Sequence, residues 1–158
     1  MIGLFITMVT VFVAYVATIV SLYGILPSIS DSYYHLPEKW KPMFTLSLWG
    51  FAFPAIIIGT PITWMMFLAC SGIIFVGAAA AFHQKLTKTV HIVGAATGMI
   101  LSQVAIATVF GMWYVTVASV VLSALIFLFR KHINNTHIFW IELICFTAIG
   151  LAYGVYLF

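Results

Sequence analysis

Every charged side chain except Glu142 lies in a short polar gap between long apolar runs. The six basic residues form three pairs: Lys39 with Lys41, Lys85 with Lys88, and Arg130 with Lys131. Of the 158 residues, 65% are hydrophobic and only 6% are charged, whereas a soluble domain carries about 25% charged residues. This composition excludes a water-exposed globule, and the chain is predicted to be an integral membrane protein. Paired bases beside apolar segments are membrane orientation signals, so no nucleic-acid partner is predicted.

The apolar runs predict six membrane-spanning helices. A helix needs about 20 apolar residues to cross a hydrocarbon core of about 30 Å, and a backbone in lipid must satisfy its own hydrogen bonds. The predicted spans are residues 2–26, 43–59, 62–82, 90–110, 113–129 and 138–158. We therefore expect an all-α integral membrane protein, a compact six-helix bundle forming one domain over residues 1–158. The first span lacks a preceding basic region, so we expect a retained span rather than a cleaved signal peptide.

The three basic gaps predict the orientation of the bundle. They join spans one to two, three to four and five to six, so all three lie on one side of the membrane. Cytoplasmic connections carry the excess of lysine and arginine, which puts this side in the cytoplasm and both termini on the non-cytoplasmic side. The predicted location is multi-pass, in a bacterial inner membrane or an equivalent cellular membrane.

This topology gathers most of the polar side chains at the cytoplasmic ends of the spans. The candidates for a ligand site or a polar network are Ser30, Asp31, His35, His83, His91, His137 and Glu142. Glu142 lies about one turn inside the last span, where an ionisable group is costly without a partner. We expect Asp31 and Glu142 to pair with His91 and His137, in a network that locks the connection after the first span onto the bundle. A site for a lipid headgroup or a small ligand at the same place is the alternative.

Imidazoles and carboxylates are also zinc ligands, which makes a metal site an alternative. The weak metal candidates are His91, His137, Asp31 and Glu142. The histidine spacings argue against it, because neither His83 and His91 nor His132 and His137 form an i, i+4 pair. We therefore predict no cofactor, with zinc as the alternative, and we assign no catalytic residue.

Small residues in the middle of the chain predict close helix packing. Gly94 and Gly98 have the GxxxG spacing that lets helix backbones approach in lipid. We expect this contact within the chain, with a homo-oligomer or another protein partner in the bilayer as the alternative. Gln103 is the only strongly polar side chain in mid-span, and it is more typical of interhelical hydrogen bonding than of a transport path.

Two stretches carry a resemblance to a known family. One is residues 26–31 (LPSISD), and the other is residues 77–84 (GAAAAFHQ), followed by His91. They resemble the damage-regulated autophagy modulator family, which groups with six-span proteins of GPI-anchor remodelling and with bacterial members of unknown function. The resemblance implies six spans and matches the family's polar positions at Pro27, Ser30, Asp31, His91 and Glu142. It implies no catalytic residue, since the family supplies no agreed mechanism.

Together these features favour a small polytopic membrane protein that binds or senses lipid, or serves as a membrane-embedded partner subunit. The expected partner is membrane lipid, and the polar cluster lies at the cytoplasmic interface. One alternative is a metal-dependent lipid hydrolase that uses this cluster. The second alternative is a small-solute transporter or channel. We favour a non-enzymatic role.

Overall fold

The computed structural model describes all 158 residues and contains helices but no strands. The helices are α1 (Ile2–Tyr23), α2 (Ser32–His35), α3 (Pro42–Gly59), α4 (Trp64–Ala78), α5 (Lys85–Thr108), α6 (Trp113–Leu128) and α7 (His137–Leu157). A 3₁₀ turn covers Glu38–Trp40. The all-helical architecture predicted from the apolar runs is thus confirmed.

Four helical stretches are long and apolar enough to cross a membrane. They are Ile2–Tyr23, Glu38–Gly59, Lys85–Thr108 and His137–Leu157. The other two long helices, α4 and α6, are apolar but have 15 and 16 residues, and at 1.5 Å per residue they extend only about 22 to 24 Å. The count of six spans and the side of each terminus remain predictions.

Three helix ends differ from the predicted span ends by three to five residues. Helix α1 stops at Tyr23 rather than residue 26, because Gly24 adopts a left-handed backbone with φ of 75°, a conformation that glycine tolerates. Helix α4 stops at Ala78 rather than residue 82. Helix α5 starts at Lys85, five residues before the predicted span. Hydropathy identifies only the apolar part of a helix, and the first turn of α5 is polar.

Helices α4 and α5 make the closest backbone approach in the bundle. A Cβ atom added to Gly72 would lie 2.5 Å from the carbonyl oxygen of Gly94, and one added to Gly98 would lie 3.2 Å from that of Ala69. Only glycine permits this separation. The predicted GxxxG contact therefore lies within the chain, as expected.

The connections that carry the basic pairs lie at one end of the bundle, which we call the basic end. Tyr34, in α2 of the first connection, stacks on His83 with ring centres 3.9 Å apart. The carbonyl of Pro27 accepts a hydrogen bond from the backbone N–H of Phe139 at 3.1 Å. These contacts bring residues 24–41 against the start of α5 and the start of α7.

Candidate functional site

Residues 26–32, here called the docked segment, enter the bundle instead of looping over it. Leu26, Ile29 and Ser30 are buried, and Ser32 is completely buried. Irregular backbone at the edge of a membrane bundle is tolerated only where protein groups satisfy its hydrogen bonds. The partners of the docked segment come from α1, α5 and α7.

Helix α7 holds the docked segment through two backbone groups. The carboxyl oxygen Oε2 of Glu142 accepts the N–H of Ile29 at 2.6 Å. Pro27 in turn accepts the N–H of Phe139, which lies in the first turn of α7 and has no acceptor within its own helix. Each element therefore satisfies a backbone group that the other leaves open.

Helix α5 holds the same segment through the buried imidazole of His91. Its Nδ1 lies 3.2 Å from the carbonyl oxygen of Ala79, and its Nε2 lies 3.1 Å from the hydroxyl of Ser30. Because a carbonyl oxygen only accepts, Nδ1 carries the hydrogen, and in the neutral form of this ring Nε2 accepts from Ser30. The ring of Phe82 stacks on His91 at 4.5 Å. His91 thus links the end of α4, α5 and the docked segment.

Helix α1 completes the set of anchors through a buried hydroxyl pair. Ser32 donates to the carbonyl of Ile29 at 2.6 Å, and the hydroxyl of Tyr15 lies 2.6 Å from the Ser32 oxygen. Since Ser32 has a single hydroxyl proton, Tyr15 is the donor in this contact. Within the segment, Ser28 donates to Asp31 at 2.9 Å and accepts the Asp31 N–H at 3.0 Å. This reciprocal pair fixes the turn that leads into α2.

The structure joins four of the seven predicted site residues and leaves three at its edge or outside it. Ser30, Asp31, His91 and Glu142 meet in the docked segment and its anchors. His35 and His83 are exposed at the rim: the His35 ring binds the Asp31 carbonyl, and the backbone N–H of His83 donates to the Tyr34 hydroxyl. His137 is set apart, with a buried Nδ1 that has no hydrogen-bond partner and a ring 6.0 Å from that of Phe127.

The expected direct pairing of carboxylates with histidines is wrong. The one ion pair of the chain joins Lys41 and Glu38, and Glu142 and His91 instead bind a backbone amide and a hydroxyl. A buried carboxylate needs hydrogen-bond donors, and the open N–H of Ile29 meets that need as an imidazole would. Nor does the structure assemble Asp31, His91, His137 and Glu142 into a group that could hold a metal ion.

A small cavity lined by Ile29 and Ser30 lies beside the docked segment. Its volume is about 40 Å³, and its polar lining consists of Ser30, Ser102 and Glu142. This space holds a water molecule or two but not a lipid chain or a sugar. A ligand of that size requires one of the grooves on the outer face of the bundle.

The larger space near the basic end is an open groove of about 760 Å³ between α1 and α3, here called the α1/α3 groove. Ten of its 14 lining residues are hydrophobic. It ends where α1 and α3 touch, since a Cβ on Gly50 would meet Val11 at 2.8 Å. At the opposite end, the mouth is formed by Tyr23, Leu36 and Trp40. From Val11 to Tyr23 the helix rises about 18 Å, about the depth of one leaflet of the hydrocarbon core.

The α1/α3 groove behind Trp40 was not predicted from the sequence. The signal for such a groove is weak, because it consists of small residues at matching depths of two helices. Ala14 on α1 and Ser47 and Gly50 on α3 line the groove, but their mutual depth depends on how the first connection folds.

A second outer groove, between α1 and α7, has a volume of about 820 Å³ and will be called the α1/α7 groove. Its lining is 13 hydrophobic residues of 16, and it extends from Val20 to the terminal Phe158. No charged residue lines it. The same is true of the α1/α3 groove, so the α1/α7 groove serves as a comparison of similar volume without the aromatic mouth at Tyr23 and Trp40.

No protein-family model, no curated protein and no solved structure matches this chain. The resemblance to the damage-regulated autophagy modulator family remains a prediction from the two short stretches of sequence.

Proposed function

We propose that all six long helices cross a membrane, with the basic end in the cytoplasm and both termini outside. The four span-length helices support crossing. Helices α4 and α6 are about 6 to 8 Å shorter than the hydrocarbon core, a mismatch that bilayers accommodate at modest cost. The distribution of lysine and arginine supports the orientation, because all six lie at the basic end.

We further propose that the protein binds a membrane lipid, with one acyl chain in the α1/α3 groove. The observation that carries this proposal is the groove itself, which is apolar, as deep as one leaflet and open at the basic end beside Trp40. Its volume falls within the range of about 300 to 1,000 Å³ typical of small-molecule sites. Aromatic residues at such a mouth suit the headgroup level of a bilayer.

In this proposal the polar residues position the groove rather than react with the lipid. Glu142 and His91 hold the docked segment, and this segment leads through α2 to the Leu36–Trp40 stretch that forms the mouth. Tyr15 has a dual position, since it lines the groove and bonds Ser32 of the docked segment. The polar network and the lipid site are therefore adjacent and mechanically connected.

Photo-crosslinking tests the proposal with a matched pair of variants on α1. Ala14 lines the α1/α3 groove and Ala17, three residues further on, lines the α1/α7 groove. Both alanines are exposed, so tryptophan at either position fills a groove without displacing core residues. The protein is placed in nanodiscs that contain a phospholipid with a diazirine in its acyl chain, illuminated, digested and mapped by mass spectrometry.

We expect wild-type adducts to concentrate on the groove residues Leu22, Met43 and Leu46. Ala14→Trp should remove most of these adducts, and Ala17→Trp should leave them in place. Adducts spread evenly over the outer faces of all helices would contradict a lipid site. The same conclusion would follow if both tryptophan variants retained the wild-type pattern.

A further inference from the structure

The mouth of the α1/α3 groove presents hydrogen-bond donors that no carboxylate occupies. The ring of His35 lies 6.0 Å from the ring of Tyr23, a groove residue. His35 Nδ1 lies 3.0 Å from the carbonyl oxygen of Asp31, so this nitrogen carries the hydrogen and is already occupied. The hydroxyl of Tyr23 is therefore the donor that this ring pair offers to a ligand at the mouth.

Lys39 is the one basic residue of the first connection without a carboxylate partner. Glu38 pairs with Lys41, and Asp31 is held within the docked segment, where Ser28 donates a hydrogen bond to its carboxyl. The Nζ of Lys39 lies 5.9 Å from the centre of the Trp40 ring that lines the groove. A ligand at the mouth therefore meets an unpaired ammonium group beside an aromatic wall.

We infer that the lipid in the α1/α3 groove is an anionic phospholipid whose headgroup lies against Lys39. The inference rests on the proposed function, because it names the lipid class of the same groove. Phosphate oxygens accept charge-assisted hydrogen bonds from an ammonium group. A zwitterionic headgroup would bring its own ammonium group, and the nearby carboxylate of Glu38 is already taken by Lys41. A headgroup without an ammonium group fits the free donors better.

Competition between two lipids with identical acyl chains tests the inference. The full-length protein is equilibrated in nanodiscs of equal phosphatidylglycerol and phosphatidylcholine content, and the retained lipid is identified by native mass spectrometry. One lysine near an anionic headgroup contributes about 1 kcal/mol, which corresponds to an enrichment of about fivefold for phosphatidylglycerol. Lys39→Gln should abolish this enrichment. Lys131→Gln removes a base from a different connection and should preserve it.

The outcomes separate the lipid class from the lipid site. Equal retention of the two lipids by the wild type, with total retention still reduced by Ala14→Trp, would overturn the inference and leave the proposed function intact. An equal loss of enrichment in Lys39→Gln and Lys131→Gln would also overturn it, since the attraction would then belong to the whole basic surface. Full retention of phosphatidylglycerol by Ala14→Trp would refute the groove, and with it the proposed function.

Discussion

The hydrogen bond from Ile29 to Glu142 makes the sharpest test of how the docked segment is held. Glu142→Ala removes the acceptor of a buried N–H at 2.6 Å. Leaving such a donor without a partner costs about 1 to 3 kcal/mol. Loss of one buried methylene adds about 0.8 kcal/mol, whereas removal of a buried ionisable group and entry of water from the 40 Å³ cavity offset part of the cost. We expect the docked segment to be destabilised by about 2 kcal/mol.

Hydrogen–deuterium exchange in nanodiscs measures this effect where it arises. A change of about 2 kcal/mol accelerates exchange through local opening by about 30-fold. The acceleration should appear in peptides that contain Ile29 and not in peptides from the middle of α4. Glu142→Gln keeps a carbonyl oxygen at the same position, so its exchange should remain close to that of the wild type, with a cost below about 1 kcal/mol.

Two results would refute the reasoning. If Ile29 peptides exchange at the wild-type rate in Glu142→Ala, the carboxyl does not hold the docked segment. If Glu142→Gln accelerates exchange as much as Glu142→Ala, the stability of the docked segment depends on the negative charge or on an unrecognised ligand rather than on the hydrogen-bond acceptor. A uniform acceleration in all peptides would point to global loosening of the bundle instead.

Two further predictions concern the bundle. Gly72→Ala should lower stability by about 1 to 3 kcal/mol, because the new methyl group would meet the Gly94 carbonyl at 2.5 Å, whereas Gly150→Ala has no atom within 4 Å and should be neutral or slightly stabilising. The buried thiols of Cys70 and Cys145 allow unfolding to be followed with a thiol-reactive dye, and equal melting temperatures for the two variants would contradict the packing argument. A reporter fused to the C-terminus should be active outside the cytoplasm, and activity inside would contradict the proposed orientation.

The helices and the location of the polar residues could be predicted from sequence because both follow from local chemistry. Long apolar runs must be helical in lipid, and the basic pairs mark one end. The convergence of Asp31, His91 and Glu142 on residues 26–32 followed from topology together with the resemblance. Helix ends were less accurate, because the polar first turn of α5 is helical outside the apolar slab.

The partners of those polar residues could not be predicted, because they depend on backbone groups far apart in the chain. Glu142 and Ile29 are 113 residues apart, and nothing in a residue list marks which N–H lacks an acceptor. Charge complementarity suggested His91 or His137 as the partner. The structure shows that an open amide serves the buried carboxyl instead, which leaves His91 free to bind Ser30.

The need to satisfy buried backbone groups also explains why a polar cluster lies at one end of so apolar a chain. The left-handed Gly24 ends α1, and the carbonyl of Pro27 and the N–H groups of Ile29 and Asp31 then form hydrogen bonds outside the helical pattern. Glu142 and Ser28 accept the two N–H groups, and His91 binds the hydroxyl of Ser30 between them. If the docked segment were exposed to lipid, each unsatisfied backbone group would destabilise the fold by several kcal/mol. The cluster therefore lets the first connection pack as part of the bundle, and this packing sets the mouth of the α1/α3 groove at a fixed depth beside Trp40.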